Sequence, residues 1–129
     1  MHRGDAAAAR PVLEKALALL PEESREPETQ RSRARLLEAL DRTAPAAVAW
    51  GMVLASLPDD AEALASLAGL DLDRDLKSSA RQRIARLHEI RPKAFDTRLL
   101  AARLALIEGR AGEAALLLGG LRAEEGAKP

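Results

Sequence analysis

The stretch Phe95–Leu118, FDTRLLAARLALIEGRAGEAALLL, consists of two runs of helix-forming residues separated by Gly109. Ala and Leu dominate both runs, and both residue types favour helices over strands. Glycine ends a helix at low cost because it adopts backbone conformations that other residues avoid. The stretch therefore predicts a helix, a tight turn and a second helix.

The spacing around this turn recurs along the chain. Asp75 lies 34 residues before Gly109, and Asp41 lies 34 residues before Asp75. An alanine stands five residues after each of these positions, and a large apolar residue stands four residues later. The alanines are Ala46, Ala80 and Ala114, and the large residues are Trp50, Ile84 and Leu118. A constant period that holds two helices predicts an α-solenoid, because stacked helical hairpins bury one another's apolar faces.

A copy of the pattern, displaced from this register by three residues, lies near the start of the chain in GDAAAARPVLEKALALLP, residues 4–21. Its alanine is Ala9 and its large residue is Leu13, and we expect Gly4 to form the turn before a lone second helix. Proline cannot continue a helix, so three prolines are expected to close helices. These are Pro21, Pro58 and Pro92.

These signals predict seven helices in a single domain over residues 1–129. The helices are expected at about residues 5–20, 28–40, 44–57, 61–72, 76–90, 94–108 and 111–122. They form a half repeat over residues 4–21 and repeats over about 27–58, 61–92 and 95–122. Thr43, Asp60 and Asp75 are expected to be N-caps, since their side chains accept hydrogen bonds from free helix amides.

The pattern resembles the tetratricopeptide repeat family over nearly the whole chain. The small residue inside each first helix of the family's repeat corresponds to Ala34, Ala68 and Ala102. The aromatic residue that is usual one turn later is replaced by Leu37, Asp71 and Ala105, so the repeats are divergent. The resemblance implies an all-α fold, an α-solenoid of about three and a half antiparallel helix-turn-helix repeats.

In that family the first helices of successive repeats line a concave groove that holds a peptide or a partner's helix. By position, the resemblance places twelve residues in this groove. They are Glu28, Arg31, Arg35, Glu38, Glu62, Ala65, Gly69, Asp96, Leu99, Arg103, Leu106 and Ile107.

The strongest candidates for partner contact among them are Arg31, Arg35, Glu62, Leu99, Arg103, Leu106 and Ile107. The three arginines would match the charge of a partner, and the three apolar residues would anchor it. Two other interpretations stay open. The usual meaning of such arginines is a solvated face, and a helix that is apolar nearly all round is equally explained by a core that encloses it.

The last helix carries apolar residues that no following helix covers in the sequence. Leu117 and Leu121 are therefore candidates for stacking against another chain or a second copy. Solenoids need polar caps at their ends, so an uncapped end favours such an assembly. The alternative is a fragment, or isolated surface leucines that the protein tolerates.

The composition excludes several classes of function. The 20 basic and 20 acidic residues give no net charge, which argues against a nucleic-acid partner. The chain has no cysteine, so disulfides and thiolate metal sites are excluded. No apolar run approaches the roughly 20 residues of a membrane helix, and we expect a cytoplasmic protein that does not insert into membranes.

No catalytic or metal-binding motif stands out. His2 and His88 have no second histidine at ligand spacing, and His88 is expected to be a partly buried structural residue. DLDRDL, residues 71–76, resembles the start of a calcium loop, but Leu76 and Gln82 occupy the positions that require Gly and Glu. We expect neither an enzyme nor a bound cofactor or metal.

The sequence thus predicts a protein–protein interaction scaffold that binds a peptide or partner helix in its groove. One alternative is a structural subunit that self-assembles through its ends or packs into a larger complex. A further alternative is an accessory domain of a longer enzyme or regulator.

Overall fold

The computed structural model of the chain describes residues 3–126, with side chains described for residues 8–121. All regular secondary structure in residues 3–126 is α-helical. The seven helices of this range are α1 (Arg3–Ala18), α2 (Pro27–Ala39), α3 (Thr43–Ser56), α4 (Ala61–Asp73), α5 (Lys77–Ile90), α6 (Phe95–Ile107) and α7 (Ala111–Gly126). Each corresponds to a predicted helix, and every bound except the end of α7 agrees within two residues.

The first helix differs from its prediction at its start. α1 begins at Arg3 and includes Gly4, so the predicted turn at Gly4 is wrong. The run Ala6–Ala9 explains this extension, because alanine has the highest helix propensity. Pro11 consequently lies inside α1, where its nitrogen has no hydrogen to donate to the carbonyl of Ala7.

The three turn residues spaced 34 apart share one backbone conformation. The φ angle is 59° at Asp41, 60° at Asp75 and 79° at Gly109, which is the left-handed region. The amide of the residue after each turn position donates to the carbonyl five residues earlier. These bonds join Arg42 to Leu37 at 2.8 Å, Leu76 to Asp71 at 2.7 Å and Arg110 to Ala105 at 2.8 Å. This is the Schellman ending of a helix, and it confirms the predicted turns.

Two sets of alanines at equivalent repeat positions, here called the alanine columns, are fully buried. The first column lies in the first helices and consists of Ala34, Ala68 and Ala102, all 0% exposed. The second lies in the second helices and consists of Ala46, Ala80 and Ala114, also 0% exposed. A methyl side chain at these positions lets neighbouring helix backbones approach one another closely.

The large residues four positions after the second column are not all buried. Trp50 and Ile84 lie in the core, whereas Leu118 is 39% exposed, contrary to the repeat pattern. Three residues further along, Val53, Leu87 and Leu121 are buried in every repeat. The second helices therefore bury a further repeat position, which the sequence analysis did not select as a core position.

One of the three predicted N-caps is confirmed. The carboxylate of Asp60 accepts the amide hydrogen of Ala63 at 2.9 Å, at the start of α4. Thr43 is wrong as a cap because it is the first helical residue of α3, behind Arg42. Asp75 is wrong as a cap because Leu76 holds that position for α5, while Asp75 forms the left-handed turn.

Two buried side chains make hydrogen bonds that hold neighbouring segments together. Gln30 in α2 donates from Nε2 to the carbonyls of Glu22 at 2.9 Å and Ser24 at 2.6 Å, which ties the loop before α2 to this helix. Trp50 in α3 donates from Nε1 to the carboxylate of Glu38 in α2 at 2.6 Å.

The chain divides into two compact units, Met1–Ala63 and Leu64–Pro129. In the first unit α2 packs against both α1 and α3, and in the second α6 packs against both α5 and α7. The predicted organisation as one domain with three and a half repeats stays a prediction. No helix within residues 3–126 combines the length and apolarity needed to cross a membrane.

Candidate partner-binding surfaces

The predicted contact residues fall into both compact units. Arg31, Arg35 and Glu62 lie in the first unit. Leu99, Arg103, Leu106 and Ile107 lie in the second. Each set forms a surface with its own chemistry.

In the first unit, Arg31 is the centre of an ion-pair network between α2 and the start of α4. Its two terminal nitrogens donate to the carboxylate oxygens of Asp60 at 2.7 and 2.9 Å, a bidentate pairing. The guanidinium also donates to Glu62 at 2.9 Å and to Glu28 at 3.2 Å. Only 12% of the Arg31 side chain is exposed, so its charge is directed toward its own chain.

Arg35, one helical turn after Arg31, extends this network. Its Nε and a terminal nitrogen donate to the two oxygens of Glu62 at 2.8 and 2.7 Å. The network thus combines two arginines with three carboxylates, and its net charge is −1. The sequence suggested a basic contact surface here, whereas these arginines are neutralised within the unit.

The network lowers the pKa of two of its carboxylates, those of Asp60 and Glu62. The hydrogen bonds from Arg31 lower the pKa of Asp60, and those from Arg35 lower the pKa of Glu62, although partial burial opposes both shifts. The same contacts raise the pKa of Arg31. The folded state therefore favours the ionised form of the network.

We expect the stability of the chain to depend on Arg31 and on pH. Because the folded pKa values of Asp60 and Glu62 are lowered, the network stabilises the fold above their ordinary values of 3.8 and 4.5 and loses this effect as pH falls through the folded values. Arg31→Met should lower the free energy of unfolding by about 1.5–3 kcal/mol at neutral pH. It should also flatten the loss of stability in acid, as measured by urea denaturation at several pH values.

Arg35→Met is the matched control for this prediction. Its side chain is largely exposed, so the loss should be clearly smaller than in Arg31→Met. An unchanged stability or an unchanged acid slope in Arg31→Met would show that the network does not stabilise the fold.

In the second unit, the outer face of α6 is apolar. Leu106 is 54% exposed and Ile107 is 39% exposed, while Leu99 is half-buried. Phe95, one turn before Leu99, is also exposed, and the sequence analysis did not select it. Its spacing of four residues from Leu99 was the available signal.

A hollow of about 210 Å³ lies beside this face, between α4 and α6. Its lining residues are Ala65, Ser66, Asp96, Leu99 and Leu100. The α4 side is made of small residues, and Gly69 lies one turn further along that helix. A methyl group added at Gly69 would lie 3.9 Å from side-chain atoms of Leu100 and Arg103, an ordinary contact distance.

Arg103 lies on α6 close to this hollow and is paired within its own unit. Its guanidinium donates to the carboxylate of Asp73 at 2.8 Å, and both side chains are well exposed. Asp73 therefore neutralises the charge of Arg103, which the sequence analysis had expected to attract a partner.

The basic residues around α5 are matched by acids in the same unit. Arg81 donates to Glu108 at 2.9 Å, and Arg83 pairs with the buried carboxylate of Asp71. The acids of the DLDRDL segment are paired as well: Asp71 with Arg83, Asp73 with Arg103 and Asp75 with Lys77. Within residues 8–121 no group of three metal-ligating side chains comes together. His88 is exposed, so its expected burial is wrong.

The predicted stacking residues of α7 have different environments. Leu117 is half-buried, and Leu121 is 4% exposed, so Leu121 is wrong as a surface for stacking. It occupies the repeat position that is also buried at Val53 and Leu87. Among the large apolar side chains of α7 within residues 111–121, Leu116 is the most exposed, at 80%.

Comparison with known proteins identifies the fold. The chain is similar to a tetratricopeptide repeat protein from Parabacteroides merdae, with a TM-score of 0.74 over 98% of this chain and 22% sequence identity. It spans about half (48%) of the length of that protein. No protein-family profile and no curated protein sequence matches the chain. The predicted fold class, an all-α solenoid type built from tetratricopeptide-like helical hairpins, is thereby confirmed.

Proposed function

We propose that this chain is a protein-interaction module that binds a peptide or a partner's helix on the outer face of α6. The observation that carries the proposal is the exposure of Leu106 and Ile107 on α6, the helix whose Leu99 lines the hollow. The tetratricopeptide-like fold generally serves as a protein-interaction scaffold, and this supports the proposal at the level of the fold.

The energetics of this face favour an apolar partner. Because these side chains are already about half buried, covering Leu99, Leu106 and Ile107 would contribute roughly 2–4 kcal/mol before the costs of association. A helix-shaped partner meets such a stripe with apolar residues at matching spacing. The arginines contribute less than the sequence suggested, because Arg31 and Arg35 are bound by carboxylates of their own unit.

A double replacement, Leu99→Glu with Leu106→Glu, tests this proposal. We expect it to abolish the capture of partner proteins by the tagged chain, because two carboxylates cannot be buried in an apolar interface without a large cost. Partners are identified by mass spectrometry after affinity capture from the source cell, and circular dichroism checks that the helices are retained.

Val12→Glu is the matched control, since it places the same charge on an exposed apolar residue of a different helix, α1. Partners should be captured by this variant as by the unaltered chain. Capture that survives the double replacement on α6 would contradict the proposed surface.

A second candidate function is self-assembly through α7. It is favoured by the exposure of Leu116 at 80% and Leu118 at 39% on that helix. Sedimentation velocity at several concentrations tests it. A monomer at every concentration would remove this candidate, whereas association that Leu116→Glu prevents would support it.

A further inference from the structure

We propose that the hollow between α4 and α6 binds an apolar side chain of the partner and that Asp96 pairs with a Lys or Arg next to it. This inference rests on the proposed function, and it specifies the chemistry of the partner: a basic, amphipathic peptide rather than an acidic one.

The size and lining of the hollow suit a side chain. Its volume of about 210 Å³ lies below the roughly 300–1,000 Å³ of pockets that hold small molecules. The small side chains of Ala65 and Ser66 form one wall, and the larger Leu99 and Leu100 form the other. An apolar group that enters the hollow would thus contact leucine side chains on one side and the small side chains of α4 on the other.

The charge at the hollow is negative. Asp96 lines it from the first turn of α6, and its carboxylate is exposed. Within residues 8–121 no cation pairs with Asp96, whereas the nearby Arg103 is held by Asp73 at 2.8 Å. Asp96 lies in the first turn of α6, where the partial positive charge of the helix end is favourable for a nearby carboxylate. A partner's cation would therefore find a carboxylate available at the rim of an apolar hollow.

This arrangement discriminates between partners of opposite charge. A lysine or arginine beside the inserted apolar side chain gains an ion pair with Asp96, while an acidic residue there is repelled. Since the ion pair is exposed to solvent, the apolar side chain supplies most of the affinity and Asp96 supplies the selectivity.

Selection of random peptides displayed on phage, against the complete chain, tests this inference. We expect the enriched peptides to carry Leu, Ile, Met or Phe next to Lys or Arg, and we expect their affinity, measured by fluorescence anisotropy, to fall with added salt. Asp96→Asn should weaken binding about two- to five-fold. Ala65→Leu, which fills the hollow, should weaken it tenfold or more.

The conservative variant Asp96→Asn keeps the inference testable if Ala65→Leu disturbs the fold. Asp75→Asn is its control, because it removes an exposed carboxylate elsewhere in the unit, at a left-handed position that asparagine tolerates. It should leave the affinity unchanged.

The outcomes separate this inference from the proposed function. Peptides that need Leu99 but lack a cation, carry acidic residues, or are indifferent to Asp96→Asn would overturn the inference and leave the proposed function standing. Failure to enrich any peptide whose binding depends on Leu99 would overturn both.

Discussion

Replacement of Trp50 by alanine is expected to lower the free energy of unfolding by about 3–5 kcal/mol. Trp50 is 1% exposed and belongs to α3, which packs against α2. Its removal deletes the largest buried side chain in the described part of the chain and leaves a cavity that the surrounding helices fill only partly. The hydrogen bond from its Nε1 to Glu38 is lost as well, although the exposed carboxylate can then bind water.

The measurement is urea denaturation followed by circular dichroism, with Phe95→Ala as the control. Phe95 is the other aromatic residue of the chain and is 48% exposed, so its loss should cost less than about 1 kcal/mol. Trp50→Phe keeps most of the apolar volume and should fall between the two. If Trp50→Ala and Phe95→Ala were equally stable, the assignment of Trp50 to the core would be wrong.

Enlarging the alanine column is expected to have the next largest effect. Ala80→Leu adds three carbon atoms at a position in α5 that is 0% exposed. A well-packed interior accepts such an addition only by moving helices apart or forcing strained rotamers, which typically costs about 1–3 kcal/mol. The added apolar surface cannot offset this cost where the helix backbones already approach closely.

Ala85→Leu is the matched control on the same helix. Ala85 is exposed, and leucine has nearly the helix propensity of alanine, so the stability should change by less than about 0.5 kcal/mol. Thermal and urea denaturation of the two variants measure the difference. A neutral effect of Ala80→Leu would mean that the alanine column is not a position of close helix packing.

The sequence predicts those features that depend on local backbone preferences or on the repeat period. The left-handed turns at Asp41, Asp75 and Gly109 follow from their 34-residue spacing and from two residue types that adopt this conformation, aspartate and glycine. The burial of Ala34 and Ala46 follows from their recurrence at the same interval, since equivalent positions in a repeat have equivalent neighbours. The confirmed helix bounds depend on the same regularity.

The candidate surfaces were harder to predict because they depend on helix rotation and on distant partners. α6 and α7 are apolar on most sides, so their composition does not define which leucines face the core. Leu121 was expected to be exposed and is buried, whereas Leu116 is exposed on the same helix. Similarly, no residue near Arg31 in the sequence indicates that its guanidinium pairs with the carboxylate of Asp60.

The repeat period, the helices and the turns between them are thus encoded in short-range features of the chain, because each depends on backbone preferences and on spacing along a helix. Which charges pair and which leucines are exposed is decided only when the helices pack. Packing then brings residues about 30 positions apart, such as Arg31 and Asp60, into contact. The sequence by itself thus determines the fold of this protein, whereas the charge pairing and the exposure of its candidate surfaces depend on tertiary packing.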